Sequence, residues 1–122
     1  MILLVEDDEK LRRMVSDFLT AKGYDVVAAE NGEKALSRLY GLDPEIILLD
    51  INLPDISGID VCRRIRKVMG GTVPIVFLTA YDDADHVESA LKAGGNDYVL
   101  KTTSLATLLG RIKHWLSAKS PN

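Results

Sequence analysis

Ile2-Leu3-Leu4-Val5 running into Glu6-Asp7-Asp8, and Ile46-Ile47-Leu48-Leu49 running into Asp50, decide the fold of this chain. Each is a short, unbroken apolar run that stops abruptly at acid. A strand covered on both faces, as in a parallel sheet, reads as such a run rather than as an alternation. Two of them ending in carboxylates deliver those side chains to one rim, and ligands of open α/β sheets sit beyond the carboxyl ends of the strands. Acids gathered there repel one another, so the rim calls for a cation. Ligands that offer only oxygen favour Mg²⁺, Mn²⁺ or Ca²⁺ over Zn²⁺.

Outward from these two runs the same alternation continues. Strands are predicted over 2–6, 25–29, 45–50, 74–79 and 97–100. Between them, apolar residues recur at helical spacing: Leu11, Met14, Val15, Phe18 and Leu19; then Ala35, Leu36 and Leu39; then Ile59, Cys62 and Ile65. Val87, Ala90 and Leu91 form a fourth stripe, and Leu105, Leu108, Leu109, Ile112 and Leu116 a fifth. Gly23, Gly70-Gly71 and Gly94-Gly95 fall where the first, third and fourth helices should stop, and Ser104 is placed to cap the last. Repeated strand-then-helix units imply an α/β fold: a parallel sheet with helices on both faces, each crossover right-handed.

A chain of 122 residues with 47% hydrophobic and 27% charged content is expected to form one soluble globular domain. The domain is predicted over residues 1–117, with 118–122 as a polar tail or the start of a linker. A net charge of −3 without a basic stripe speaks against direct nucleic-acid binding. The single cysteine, Cys62, rules out an internal disulfide and fits a reducing cytoplasm; on its apolar stripe it reads as an inert buried thiol. No apolar run approaches the length of a membrane span or a signal-peptide core. His86 and His114 read as solvated helix residues, and Trp115 as a partly covered ring.

The remaining strand ends carry complementary chemistry. The fourth run, Ile75-Val76-Phe77-Leu78, ends at Thr79-Ala80, and the fifth, Tyr98-Val99-Leu100, ends at Lys101. Carboxylates, a metal, a hydroxyl and an amine around one cavity suit phosphoryl transfer, which depends on positioning and charge neutralisation more than on covalent machinery. In that reading Asp50 is the nucleophile and forms an acyl phosphate. Asp50 and Asp7, with a backbone carbonyl, hold the metal.

Taken in order, Leu3-Leu4-Val5-Glu6-Asp7-Asp8, Leu49-Asp50-Ile51-Asn52-Leu53-Pro54 with Gly58, Leu78-Thr79-Ala80 and Asp97-Tyr98-Val99-Leu100-Lys101 resemble the receiver domain of two-component response regulators. Each motif alone is weak, whereas the ordered set spans nearly the whole chain and is specific. The resemblance implies a doubly wound, flavodoxin-like (βα)5 fold with a five-stranded parallel sheet of order 2-1-3-4-5. It implies that Asp50 accepts a phosphoryl group from a phosphohistidine on a sensor histidine kinase or phosphotransfer protein. Mg²⁺, with Mn²⁺ as a substitute, would bind Asp7, Asp50 and the main-chain carbonyl of Asn52 directly, and Glu6 largely through water. Lys101, the Thr79 hydroxyl and the Ala80 N–H would hold phosphoryl oxygens, while Thr79 and Tyr98 would form the switch. The altered surface would serve a downstream effector, including a phosphorylation-dependent dimer through the fourth helix, fifth strand and fifth helix.

Several positions depart from the family pattern. Thr102 stands where a proline preceded by a cis bond is usual; before a non-proline residue the cis form costs about 2.5–4 kcal/mol, so a trans bond is expected. Of the charges that pair across dimers of this family, Asp97 and Arg111 are present, whereas Asn96, Val87 and Thr107 replace the rest. Tyr81, two residues beyond the switch threonine, is placed to shield an acyl phosphate from water. Two rival readings are a pseudo-receiver that never takes phosphate and an aspartyl-nucleophile phosphatase. The phosphatase would want an acid where Asn52 stands, and a flavin module of this fold would not want an acidic rim beside the flavin phosphate.

Overall fold

The computed structural model describes residues 1–80 and 84–119. Strands and helices alternate as β1 (Ile2–Val5), α1 (Glu9–Ala21), β2 (Val26–Ala29), α2 (Gly32–Leu39), β3 (Ile46–Asp50), α3 (Gly58–Met69), β4 (Ile75–Thr79), α4 (Ala84–Lys92), β5 (Asp97–Leu100) and α5 (Leu105–Lys119). The strands form one five-stranded parallel sheet in the order β2-β1-β3-β4-β5. Predicted strand boundaries hold to within one residue, and Glu6 lies immediately past β1 rather than inside it. α5 continues through Lys119, two residues beyond the expected domain end at 117.

Strand side chains alternate between the two faces of a sheet, and the core divides accordingly. Leu3, Val5, Ile47, Leu49, Ile75 and Phe77 meet residues of α2, α3 and α4 on one face. On the other, Ile2, Leu4, Ile46, Leu48, Val76 and Leu78 meet Val15 and Leu19 of α1 and Leu108 and Ile112 of α5. Because both faces are covered, β1, β3 and β4 are buried along their whole length, which is why they read as unbroken apolar runs. Two stripe residues are corrected: Met14 is 50% exposed and Leu91 48%. Each sits on the flank of its helix, beside Val15 or Ala90, which alone turns to the sheet.

Helix ends follow local chemistry. Asp8, Asn31, Ser57 and Ser104 accept the N–H bonds of Leu11, Lys34, Ile59 and Thr107, satisfying donors that the first turn of a helix leaves open. Gly23, Gly70 and Gly94 take positive φ at the expected stops. Cys62 is fully buried, its Sγ donating to the Ala93 carbonyl at 3.4 Å, and burial pushes its thiol up, as an inert residue requires.

At the amino-terminal edge of β4 and β5, Arg66 gathers three segments. Its Nε and Nη2 donate to the Gly94 carbonyl at 3.0 and 2.7 Å, and its Nη1 to the carbonyls of Gly70 and Val73 at 3.1 and 2.6 Å. Nη2 also donates to Asn96 Oδ1 at 2.7 Å, which in turn accepts the Ile75 N–H at 2.9 Å. Charge-assisted bonds to partly buried carbonyls are worth about 1.5–3 kcal/mol each and add less than linearly. Arg66→Ala is therefore expected to destabilise the domain by roughly 2–4 kcal/mol in chemical denaturation. Because the knot lies at the opposite edge from the acids, divalent-cation affinity should remain within about twofold of the parent.

Candidate phosphoryl-transfer and metal site

The parallel register brings the carboxyl ends of β1, β3, β4 and β5 to one edge, pairing Val5 with Leu49, Asp50 with Leu78 and Thr79 with Leu100. Glu6, Asp50 and Thr79 are the buried polar or charged side chains of the described residues, at 0%, 1% and 0% exposure. Lys101 closes the group: its Nζ lies 3.0 Å from Asp50 Oδ2, 3.0 Å from Glu6 Oε1 and 3.2 Å from Glu6 Oε2. The Lys101 N–H also donates to the Thr79 carbonyl at 2.8 Å, tying the ends of β4 and β5 together. Asn52 meets Asp50 through its N–H, which donates to Oδ1 at 3.1 Å.

Asp7 differs from its neighbour. The chain bends there, leaving Asp7 exposed while Glu6 turns inward. One carboxylate oxygen from each of Glu6, Asp7 and Asp50 nonetheless falls within 4.8 Å of the others. Glu6 Oε1 is buried and makes no hydrogen bond, although the ammonium stands near it. A set of hard oxygen donors with an unsatisfied lone pair and an open mouth fits a small divalent cation.

Burial first, and then the Asp50 carboxylate, push the Glu6 carboxyl from 4.5 up to about 7, against the opposing pull of the Asp8 N–H and Lys101. Burial alone would lower the Lys101 ammonium, but its bonds to Asp50 and Glu6 outweigh that and raise it. The folded protein thus binds the Glu6 proton more tightly than the unfolded chain does. The resulting stability is fully present below about 4.5 and is lost as pH rises through about 7. A cation competes with that proton. Mg²⁺ is expected to bind roughly tenfold more tightly at pH 8 than at pH 6, as read by calorimetric titration. Equal affinities would remove Glu6 from the site.

Tyr98 lies half-buried on β5, three residues before Lys101, in register with Phe77 and packed against the core. Ala80 follows Thr79 and is exposed. Tyr81 lies outside the described residues. The peptide bonds around Lys101 and Thr102 are trans, as expected without a proline. Asp97 is engaged within its own chain: Arg111 Nη1 reaches both of its oxygens at 2.8 and 2.9 Å, and Trp115 Nε1 donates at 2.8 Å. His114 is exposed and stacks edge-on against Trp115.

Three supports were not foreseen. Arg12 donates to the carbonyls of Glu6 and Asp7, and Arg66 forms the knot described above. Asp55, on the loop after β3, accepts the N–H groups of Gly32 and Glu33 at 2.9 Å each, anchoring that loop to the start of α2. Burial works against the Asp55 charge, but the Glu33 and Gly32 N–H groups hold its carboxyl below the usual range. None of these leaves a signal in the sequence beyond an acid or base at an unremarkable position.

A doubly wound α/β domain with acids and a lysine meeting at the carboxyl edge of its sheet defines a class of phosphoryl- and metal-handling signalling modules. The response regulator receiver domain family matches residues 2–113. Over 112 residues the chain is 40% identical to the DNA-binding response regulator MtrA of Mycolicibacterium smegmatis, covering 92% of this chain and 48% of that protein. It is likewise 40% identical to the transcriptional regulatory protein AfsQ1 of Streptomyces coelicolor, covering 92% and 49%. Among solved structures, a two-component response regulator from Clostridium difficile superposes with a TM-score of 0.93 at 31% identity, covering 98% of each chain. The BeF3-activated N-terminal receiver domain of Klebsiella pneumoniae RstA gives 0.88 at 36% identity, over 94% of this chain and 97% of that one. The chain belongs to the response regulator receiver domain family and has the fold expected of it. It spans about half the length of the curated relatives it matches. Among the described residues no helix is long and apolar enough to cross a membrane.

Proposed function

We propose that this domain is a phosphorylation-dependent switch of a two-component phosphorelay, with Asp50 as the phosphoacceptor. The observation that carries this reading is the buried Asp50 carboxylate, bonded to Lys101 and grouped with Glu6 and Asp7 at the mouth of the sheet. In the transfer, an Asp50 carboxylate oxygen bonds to phosphorus while the P–N bond of the donor phosphohistidine breaks. Its electron pair leaves with the imidazole of a sensor histidine kinase or phosphotransfer protein. Lys101 already stands where phosphoryl oxygens would arrive, and the Thr79 hydroxyl and Ala80 N–H hold another oxygen. Mg²⁺, or Mn²⁺ in its place, would be held by Asp7, Asp50, the Asn52 carbonyl and, through water, Glu6, and when bound supplies charge neutralisation at the transferring group.

The domain is a signalling module that promotes only its own phosphorylation and dephosphorylation, and it acts in the cytoplasm without touching nucleic acid or membrane. Its functional unit is residues 1–117, with 118–122 leading toward an effector. To carry an equilibrium from 1:99 to 99:1, a ligand must favour one state by about 5.5 kcal/mol. A dianionic phosphoryl on Asp50 with charge-assisted bonds to Lys101 and Thr79 is a source for much of that. The change would pass through Thr79 and Tyr98 to the α4–β5–α5 face, which would contact the effector or a second copy. Asp97 and Arg111 pair within the chain, so a dimer that uses them must exchange that bond.

Amide chemical shifts test the switch. Phosphorylation should move residues 79–80, 97–101 and α4 while leaving the Arg66 knot in place. Shifts confined to the neighbours of Asp50 would contradict it.

A further inference from the structure

Arg12 stands in the first turn of α1, half-buried, and no step above uses it. Its Nη1 donates to the Glu6 carbonyl at 2.9 Å and to the Asp7 carbonyl at 3.2 Å. In extended chain, consecutive carbonyls point apart, so one nitrogen reaches both only because the backbone bends at Asp7. That bend is what separates the two acids, sending Glu6 to Lys101 and leaving Asp7 at the open mouth. The other ties of this turn are short-range: the Asp8 N–H donates to Glu6 Oε2 at 3.1 Å, and Asp8 Oδ1 accepts the Leu11 N–H at 3.0 Å. Arg12 alone grips the backbone of both acids at once from a side chain of the following helix.

We infer that Arg12 is a positioning residue for the divalent cation: by clamping the bend it sets the approach of the Glu6 and Asp7 carboxylates toward Asp50. This rests on the reading that those acids hold Mg²⁺. Charge and positioning predict opposite signs. A guanidinium beside an acidic pocket repels a cation, so if Arg12 acted by charge alone its removal would tighten Mg²⁺ binding. If it holds the ligands in place, removal weakens binding, and outer groups that orient metal ligands typically matter by roughly 10–100-fold.

The test is the Mg²⁺ dissociation constant, from amide shift titration, of the parent, Arg12→Ala, Arg12→Lys and Arg13→Ala, with thermal midpoints in EDTA beside each. Arg12→Ala should weaken Mg²⁺ by roughly 10–100-fold, and Arg12→Lys should recover part of the loss, since an ammonium can still donate to one carbonyl. Arg13 is exposed and pairs with Glu9 at 3.2 Å, so Arg13→Ala removes the same charge and should change affinity by less than about twofold. Equal or tighter binding by Arg12→Ala overturns the inference. If the alanine variant does not fold, Arg12→Lys decides it: weakening by about threefold or more supports the clamp, and parity with the parent overturns it. A parent protein that binds no Mg²⁺ overturns the metal reading instead, and the clamp with it.

Discussion

Replacing Gly58 with alanine is expected to destabilise the domain by about 3 kcal/mol or more and to lower its thermal midpoint by roughly 10 °C. A methyl at this first residue of α3 would lie 1.9 Å from the Asp50 carbonyl oxygen and 2.8 Å from both the Asp50 carbonyl carbon and Ile51 Cα. All three are backbone atoms, so no side chain can swing aside. The Gly58 N–H also donates to the Ile51 carbonyl at 2.7 Å, which holds the two segments together. Relief requires the end of β3 to move, and Asp50 moves with it. The variant should therefore lose Mg²⁺ affinity along with stability. Gly110, in α5, is the contrasting site, because a methyl there would meet nothing within 4 Å. Gly110→Ala should stabilise by about 0.5–1 kcal/mol, because alanine is the better helix former. Thermal unfolding in EDTA checks both, and a Gly58→Ala midpoint within about 2 °C of the parent would mean that the close approach is not real.

Lys101→Met has the second large effect, and its sign depends on pH. The lysine is the cation bonded to Glu6 and Asp50, whose side chains are 0% and 2% exposed. Removing one partner of a buried ion pair typically costs about 3–5 kcal/mol, because the remaining charge stays in a poor solvent. Glu6, already pushed up to about 7, can escape that cost by taking a proton. The metal-free variant should thus lose more stability at pH 8 than at pH 6. Mg²⁺ should restore part of it, since the ion replaces the missing charge. Phosphorylation by a small-molecule donor should slow by roughly 10²–10³, the usual loss when a donor to the developing charge is deleted. Unfolding curves at the two pH values, with EDTA and with Mg²⁺, separate these effects. A loss that is the same at both pH values would show that Glu6 does not take up the proton.

Legibility in the sequence followed from which physical constraint acted. Parallel strands buried on both faces must be apolar along their length, so Ile2–Val5, Ile46–Asp50 and Ile75–Thr79 stood out. The same runs pointed their terminal acids, Thr79 and Lys101 to one edge, and the register brings them there. Glycines marked helix stops because positive φ is cheap only for them, as at Gly23, Gly70 and Gly94. The environment of each acid was less legible. Glu6 and Asp7 are adjacent acids in the sequence, and only the bend after β1 buries one and exposes the other. Arg12, Asp55 and Arg66 were also illegible, because each bonds backbone groups through contacts that no local pattern encodes. Met14 and Leu91 show the limit of helical periodicity, which finds the apolar side of a helix but not its margin.

Acceptance of a phosphoryl group by Asp50 is the central claim, and intact mass after incubation with acetyl phosphate and Mg²⁺ tests it most directly. The parent should gain the mass of one phosphoryl group, and neither Asp50→Asn nor the parent in EDTA should gain it. A gain that persists in Asp50→Asn, or a parent that binds Mg²⁺ yet stays unmodified by acetyl phosphate and by histidine kinases, would contradict it.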